Sequence, residues 1–167
     1  MESGMVVLER ISHLLNQILI FIAGIFLIAM IILTCANVFL RLVWIPVSGT
    51  FELMGYFGAV LTAFALAYTQ TKKGHIAVDI VVLGFSKRTQ KTLNAVNNII
   101  CMVFFSVVTW QIAKYAGTLW EMGEVTETLQ IIYYPFTYGV AFGCAVLCMV
   151  FLIDFLKLVI KHGEDKA

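Results

Sequence analysis

Charged side chains are missing from long stretches of this chain. None occurs in Ile18–Leu40, Leu93–Ala113 or Ile131–Ile153, and Leu53–Thr69 is equally bare. Only 13% of the residues are charged and 61% are hydrophobic. Soluble domains run at about 25% and 45–50%. One small globule cannot bury that excess, so lipid must be the solvent for much of the chain. A net charge of +1, with no basic patch interleaved with aromatics, leaves no signal for a nucleic-acid partner. Histidine is confined to His13, His75 and His162, outside or at the ends of the apolar runs, so facing helices offer no axial pair for a b-type haem. Cys35, Cys101, Cys144 and Cys148 all lie within those runs and form no C-x-x-C pair. They read as small apolar fillers rather than a redox dithiol. No nucleophile–base pairing and no metal-ligand spacing is present. The expectation is a protein without catalytic residues, metal or cofactor.

What is present is four runs long enough to cross a bilayer, at about 18–40, 51–69, 93–113 and 131–153. A span needs about 20 apolar residues, and in lipid the backbone must satisfy its own hydrogen bonds, which makes each run a helix. The first run is too long for a signal-peptide core and lacks a small-residue cleavage site. The expected fold is an all-α integral membrane protein, one domain over 1–167, with four transmembrane helices. Nine of the Lys and Arg residues fall at the two ends and between spans two and three, while Arg41 and Lys114 alone fall on the other side. That asymmetry predicts cytoplasmic N- and C-termini. The first helix is expected to start before the membrane, near Val6, and Lys157 and Lys161 to reach the headgroups beyond the last span.

The connection between spans two and three, "GHIAVDIVVLGFSKRTQKTL", holds ten residues, 76–85, broken only by Asp79. They are too apolar for open water and too few to span, so an interfacial segment against membrane lipid or a partner is expected. His75 and Asp79, four apart, would share one helical face there. Span two carries Gly55, Ala59, Ala63 and Ala67 at every fourth position, and span four carries Gly139 and Gly143. Helices in lipid associate through such close-packing small residues, so both rows are candidate helix–helix interfaces. Arg41 ends the first helix and Glu52 starts the second, each matching the dipole of its helix end across a hairpin through Pro46 and Gly49. They can pair with each other, pair with a partner, or serve as independent anchors. The span centres hold no charged residue and no inverted repeat is visible, which leaves the chain poorly equipped to move a solute alone.

"NVFLR", the "FEL" after the hairpin, and "FALAYTQTKKGHIAVDI" resemble the small (Q-type) membrane subunit of a tripartite ATP-independent periplasmic (TRAP) transporter. The matching positions are Asn37, Val38 and Arg41; Glu52 and Leu53; His75, Ile76, Val78 and Asp79; and a later element at Gly123, Glu124, Leu129 and Ile131. The chain departs from the family pattern in "SGTFEL", which lacks a tryptophan and a second acid before the glutamate, and in Ile132 where a proline is common. The resemblance implies a bacterial inner-membrane subunit that braces a large permease subunit. That subunit would carry the substrate and sodium sites, and a periplasmic substrate-binding protein would deliver an organic acid to it. The alternative is a small homodimeric four-helix exporter with Glu52 as proton carrier, which would want its carboxylate inside the bilayer rather than at the lip.

Overall fold

The computed structural model describes residues 2–43, 45–72 and 87–164. It is all helical, with four helices long and apolar enough to cross a membrane. They are α1 (Glu2–Val43), α2 (Thr50–Thr71), α3 (Lys87–Met122) and α4 (Tyr134–Glu164). No strand forms among the described residues; one isolated antiparallel bridge joins Val125 and Ile132. The expected interfacial segment, with His75 and Asp79, lies outside the described residues.

The helix ends follow from local chemistry. Pro46 disfavours helical backbone at Ile45, the residue before it, and Ile45 lies outside α1. Gly49 takes the left-handed conformation at φ 73° and opens α2. α3 closes in a Schellman turn: the Gly123 amide donates to the Trp120 carbonyl at 3.2 Å and the Glu124 amide to the Leu119 carbonyl at 3.3 Å. Gly123 supplies the positive φ of 63° that this turn requires. Pro135 sits in the first turn of α4, where its missing amide costs nothing. That helix begins at Tyr134, three residues after the apolar run does.

The helices are not arranged as a closed square. α1 packs on α2, α2 on α4, and α4 on α3, with a lighter contact between α1 and α4. α2 and α4 therefore form the centre, and α1 and α3 flank it. The core joins Leu19 and Ala23 of α1, Val60, Ala63, Phe64 and Ala67 of α2, and Val146, Leu147 and Phe151 of α4. α3 reaches this core through Cys101, Met102 and Phe105. The outward faces of α1 and α3 remain apolar and exposed.

At the end of the bundle formed by the close of α2 and the later turns of α4, polar side chains replace the apolar core. Asn16 donates to Thr71 Oγ1 at 2.8 Å, and Gln70 donates to Asp154 Oδ2 at 3.2 Å. One turn beyond Asp154, Lys157 meets Glu9 at 2.7 Å. The expected reach of Lys157 toward headgroups is thus directed first to α1. These pairs tie α1 to α2, α2 to α4, and α4 back to α1.

Candidate functional site

The opposite end of the bundle is where the α1–α2 hairpin meets the α3–α4 loop. Glu52, in the first turn of α2, accepts two backbone amides from that loop. Thr128 donates to Oε1 at 2.8 Å and Leu129 donates to Oε2 at 3.3 Å. A carboxylate with two oxygens is well suited to adjacent amides, because both lone-pair sets are used at once. The Leu129 side chain in turn rests on Gly49, so closely that a Cβ there would lie 2.2 Å from Leu129 Cγ. Glycine is needed at that position for its positive φ and for the missing side chain.

Each loop is also braced internally. Asn37 Oδ1 accepts the Val47 amide at 3.0 Å, and Thr50 Oγ1 donates to the Val47 carbonyl at 2.8 Å. Thr126 organises the other loop. Its amide donates to the Ile131 carbonyl at 3.0 Å, and its Oγ1 accepts the Ile131 amide at 3.2 Å. Gln130 crosses this turn at φ 52° with its amide on the Thr126 carbonyl. Thr50 and Thr126 are both buried. Tyr133 donates its hydroxyl to Glu124 Oε2, and the carboxylate that holds this proton raises the phenol pKa above its ordinary value. Tyr56 stacks on Tyr133 at 5.4 Å and on Phe136 at 5.6 Å, which joins α2 to the start of α4 beneath the clamp.

The other sequence-derived candidates divide clearly. Arg41 is exposed and makes no ion pair with any described residue, while Glu52 is taken by the loop amides. The small row on α2 splits. Ala63 and Ala67 are buried, whereas Gly55 and Ala59 are exposed, and a Cβ at Gly55 would meet nothing within 4 Å. Four residues advance a helix by about 400°, so a row of every fourth residue drifts by about 40° per step and leaves its starting face. On α4, a Cβ at Gly143 would come 2.9 Å from Phe64 Cδ1 and 3.0 Å from the Ala63 backbone, whereas one at Gly139 would meet Val60 at 3.6 Å. Gly143 and Ala63, singled out separately in the sequence, are thus brought into one close crossing.

Sequence reasoning missed Thr126, Thr128, Asn16 and Gln70. The last two carried a legible signal, since a lone amide near the end of an apolar helix needs a buried partner. The clamp is built from hydrogen bonds and one close side-chain contact. Among the described residues, no group of three or more His, Cys, Asp or Glu could hold a metal ion. What it fixes is shape, and the residues it uses are Asn37, Glu52, Glu124, Leu129 and Ile131, distant in sequence and gathered at one end.

Comparison with known families matches residues 30–161 to the tripartite ATP-independent periplasmic transporters, DctQ component. No curated protein and no solved structure matches the chain. The matched range takes in the hairpin, α2, α3, the clamped loop and nearly all of α4. The chain belongs to the DctQ component family of the TRAP transporters.

Proposed function

We propose that this chain, as the small permease subunit, braces the large permease subunit of a TRAP transporter and presents its clamped loops to the periplasmic substrate-binding protein during sodium-driven organic-acid uptake. The observation that carries this reading is the clamp: Glu52 and Gly49 lock the two loops of one bundle end into a single surface. The charge asymmetry supports a periplasmic position for that end in a bacterial inner membrane, with both chain termini in the cytoplasm. The membrane spans carry no charged side chain at mid-depth, and a solute or sodium site is normally built from such groups or from broken helices. Transport chemistry therefore belongs to the partner. The exporter alternative is disfavoured by the same geometry, because a proton carrier at Glu52 would have to release two backbone amides in every cycle.

The test is reconstitution in liposomes of the chain alone, of the chain with the large subunit, and of both with the binding protein. Sodium-dependent uptake of an organic acid is expected only from the complete set. Uptake by the chain alone, above that of empty liposomes, would overturn the proposal.

A further inference from the structure

No Asp, Glu, Lys or Arg lies between Arg10 and Arg41, and both arginines belong to one unbroken helix, α1. At 1.5 Å per residue they stand about 46 Å apart along its axis, close to the ~40–45 Å of a bilayer with its headgroups. Both are exposed, and neither makes an ion pair with any described residue. A charged side chain belongs in a headgroup layer rather than in hydrocarbon. One helix of this length therefore sets Arg10 in one headgroup layer and Arg41 in the other.

Arg10 does not stand alone in its layer. His13 and Gln17 follow it at helical spacing, so the three share one face, and with Glu9 and Leu14 they line a shallow groove. Glu9, the acid of the groove, is turned to Lys157 at 2.7 Å. The groove therefore keeps the net charge of Arg10. A guanidinium, an imidazole N–H and an amide N–H are donors suited to phosphate oxygens. Toward the middle of α1 the same face continues as Phe21, Gly24, Ile28 and Ile31. Phe21 is 71% exposed and Ile28 59%. A Cβ at Gly24 would meet nothing within 4 Å, which leaves an open step between those two side chains. From Phe21 to Ile31 the stripe runs about 15 Å, the depth of one leaflet of a ~30 Å hydrocarbon core.

We infer that the face from Arg10 to Ile31 is a binding site for one anionic phospholipid, with its phosphate on Arg10, His13 and Gln17 and an acyl chain laid along Phe21, Gly24 and Ile28. Lipid covers every apolar face of a membrane helix, so the apolar half of the stripe does not by itself select a headgroup. The selection comes from the donors at its end. The neighbouring exposed row, Ile11, Ile18 and Ile25, offers no donor at the same level. A free anion would use the donors and leave the apolar stripe idle. The site does not depend on the functional reading above, because every residue in it belongs to this chain.

The experiment is native mass spectrometry of the purified full chain, released from detergent after incubation with phosphatidylglycerol or with phosphatidylcholine of the same acyl chains. Phosphatidylglycerol adducts should exceed phosphatidylcholine adducts by about fivefold, the weight of one basic residue beside an anionic headgroup. Arg10→Gln should remove that preference. Lys114→Gln, which neutralises an exposed cation on α3 toward the other end of the bundle, should leave it intact. Inorganic phosphate at the lipid concentration should not displace the adducts. Equal adducts of the two lipids, a preference that survives Arg10→Gln, or an equal loss in Lys114→Gln would each overturn the inference. Displacement by inorganic phosphate would assign the donors to a free anion and overturn it as well.

Discussion

Gly49→Ala strikes the clamp at its tightest point. Holding an L-residue at the left-handed φ of 73° costs roughly 1–2 kcal/mol. The added methyl would also lie 2.2 Å from Leu129 Cγ, so Leu129 must leave its seat. Leu129 is half-buried, and half of the ~1.5–3 kcal/mol gained by burying such a side chain is about 1 kcal/mol. The two effects together come to about 2–3 kcal/mol. For a domain of this size each kcal/mol moves the melting temperature by roughly 2–4 °C. Thermal unfolding of the purified chain in detergent should therefore fall by roughly 5–10 °C. The steric part can be isolated with Leu129→Ala. That change alone should cost about 1 kcal/mol, and in its presence Gly49→Ala should cost only the backbone strain, so the double variant falls short of the sum by about 1 kcal/mol. Strict additivity, or a Gly49→Ala melting temperature within a degree of wild type, would refute the contact and the locked-loop argument built on it.

Gly143→Ala should force α2 and α4 apart at the Ala63–Phe64 crossing and cost about 1–3 kcal/mol; Gly139→Ala, with Val60 at ordinary contact distance, should be neutral or slightly stabilising in the same unfolding assay. Gly55→Leu and Ala59→Leu should leave the isolated chain as stable as wild type, because both positions are open; if that strip receives the large subunit, co-purification should drop while stability does not. Arg41→Ala and Glu52→Ala should act additively in a double-variant cycle read by transport in the assembled complex, since Glu52 is held by the Thr128 and Leu129 amides rather than by Arg41. A coupling clearly different from zero would restore a direct pair.

The helices were legible because lipid imposes one rule on every residue of a span, and apolar run length alone satisfies it. Their ends were less so. The start of α1 ahead of its apolar run was expected near Val6, whereas the run of α3 on to Met122 lies beyond what hydropathy marks. The candidate site was half legible. Glu52 stood out as a carboxylate at a helix start, and Arg41 was the nearest visible opposite charge. The winning partners are main-chain amides of a loop 76 and 77 residues away. Every residue carries an amide, so no letter in the sequence marks Thr128 or Leu129 as a donor. The small-residue row is divided by helix geometry. Spacing by four was read as one face, whereas helical drift turns its first half outward and its second half toward Gly143.

The two ends of the bundle bear on how such a subunit could work. At one end the loops are tied through Glu52, Gly49 and Thr126; at the other, Asn16–Thr71, Gln70–Asp154 and Glu9–Lys157 link α1, α2 and α4 pairwise. Between them Gly143 lets α2 and α4 approach closely. Switching elements need two packings of similar energy. Here a change of packing would break hydrogen bonds at both ends and open the crossing in the middle. One group departs from this pattern: Asn16 Oδ1 is buried without an acceptor's partner among the described residues, although Asn16 is only 2% exposed. An unmet acceptor costs about 1–3 kcal/mol, and it lies where α1 faces the close of α2.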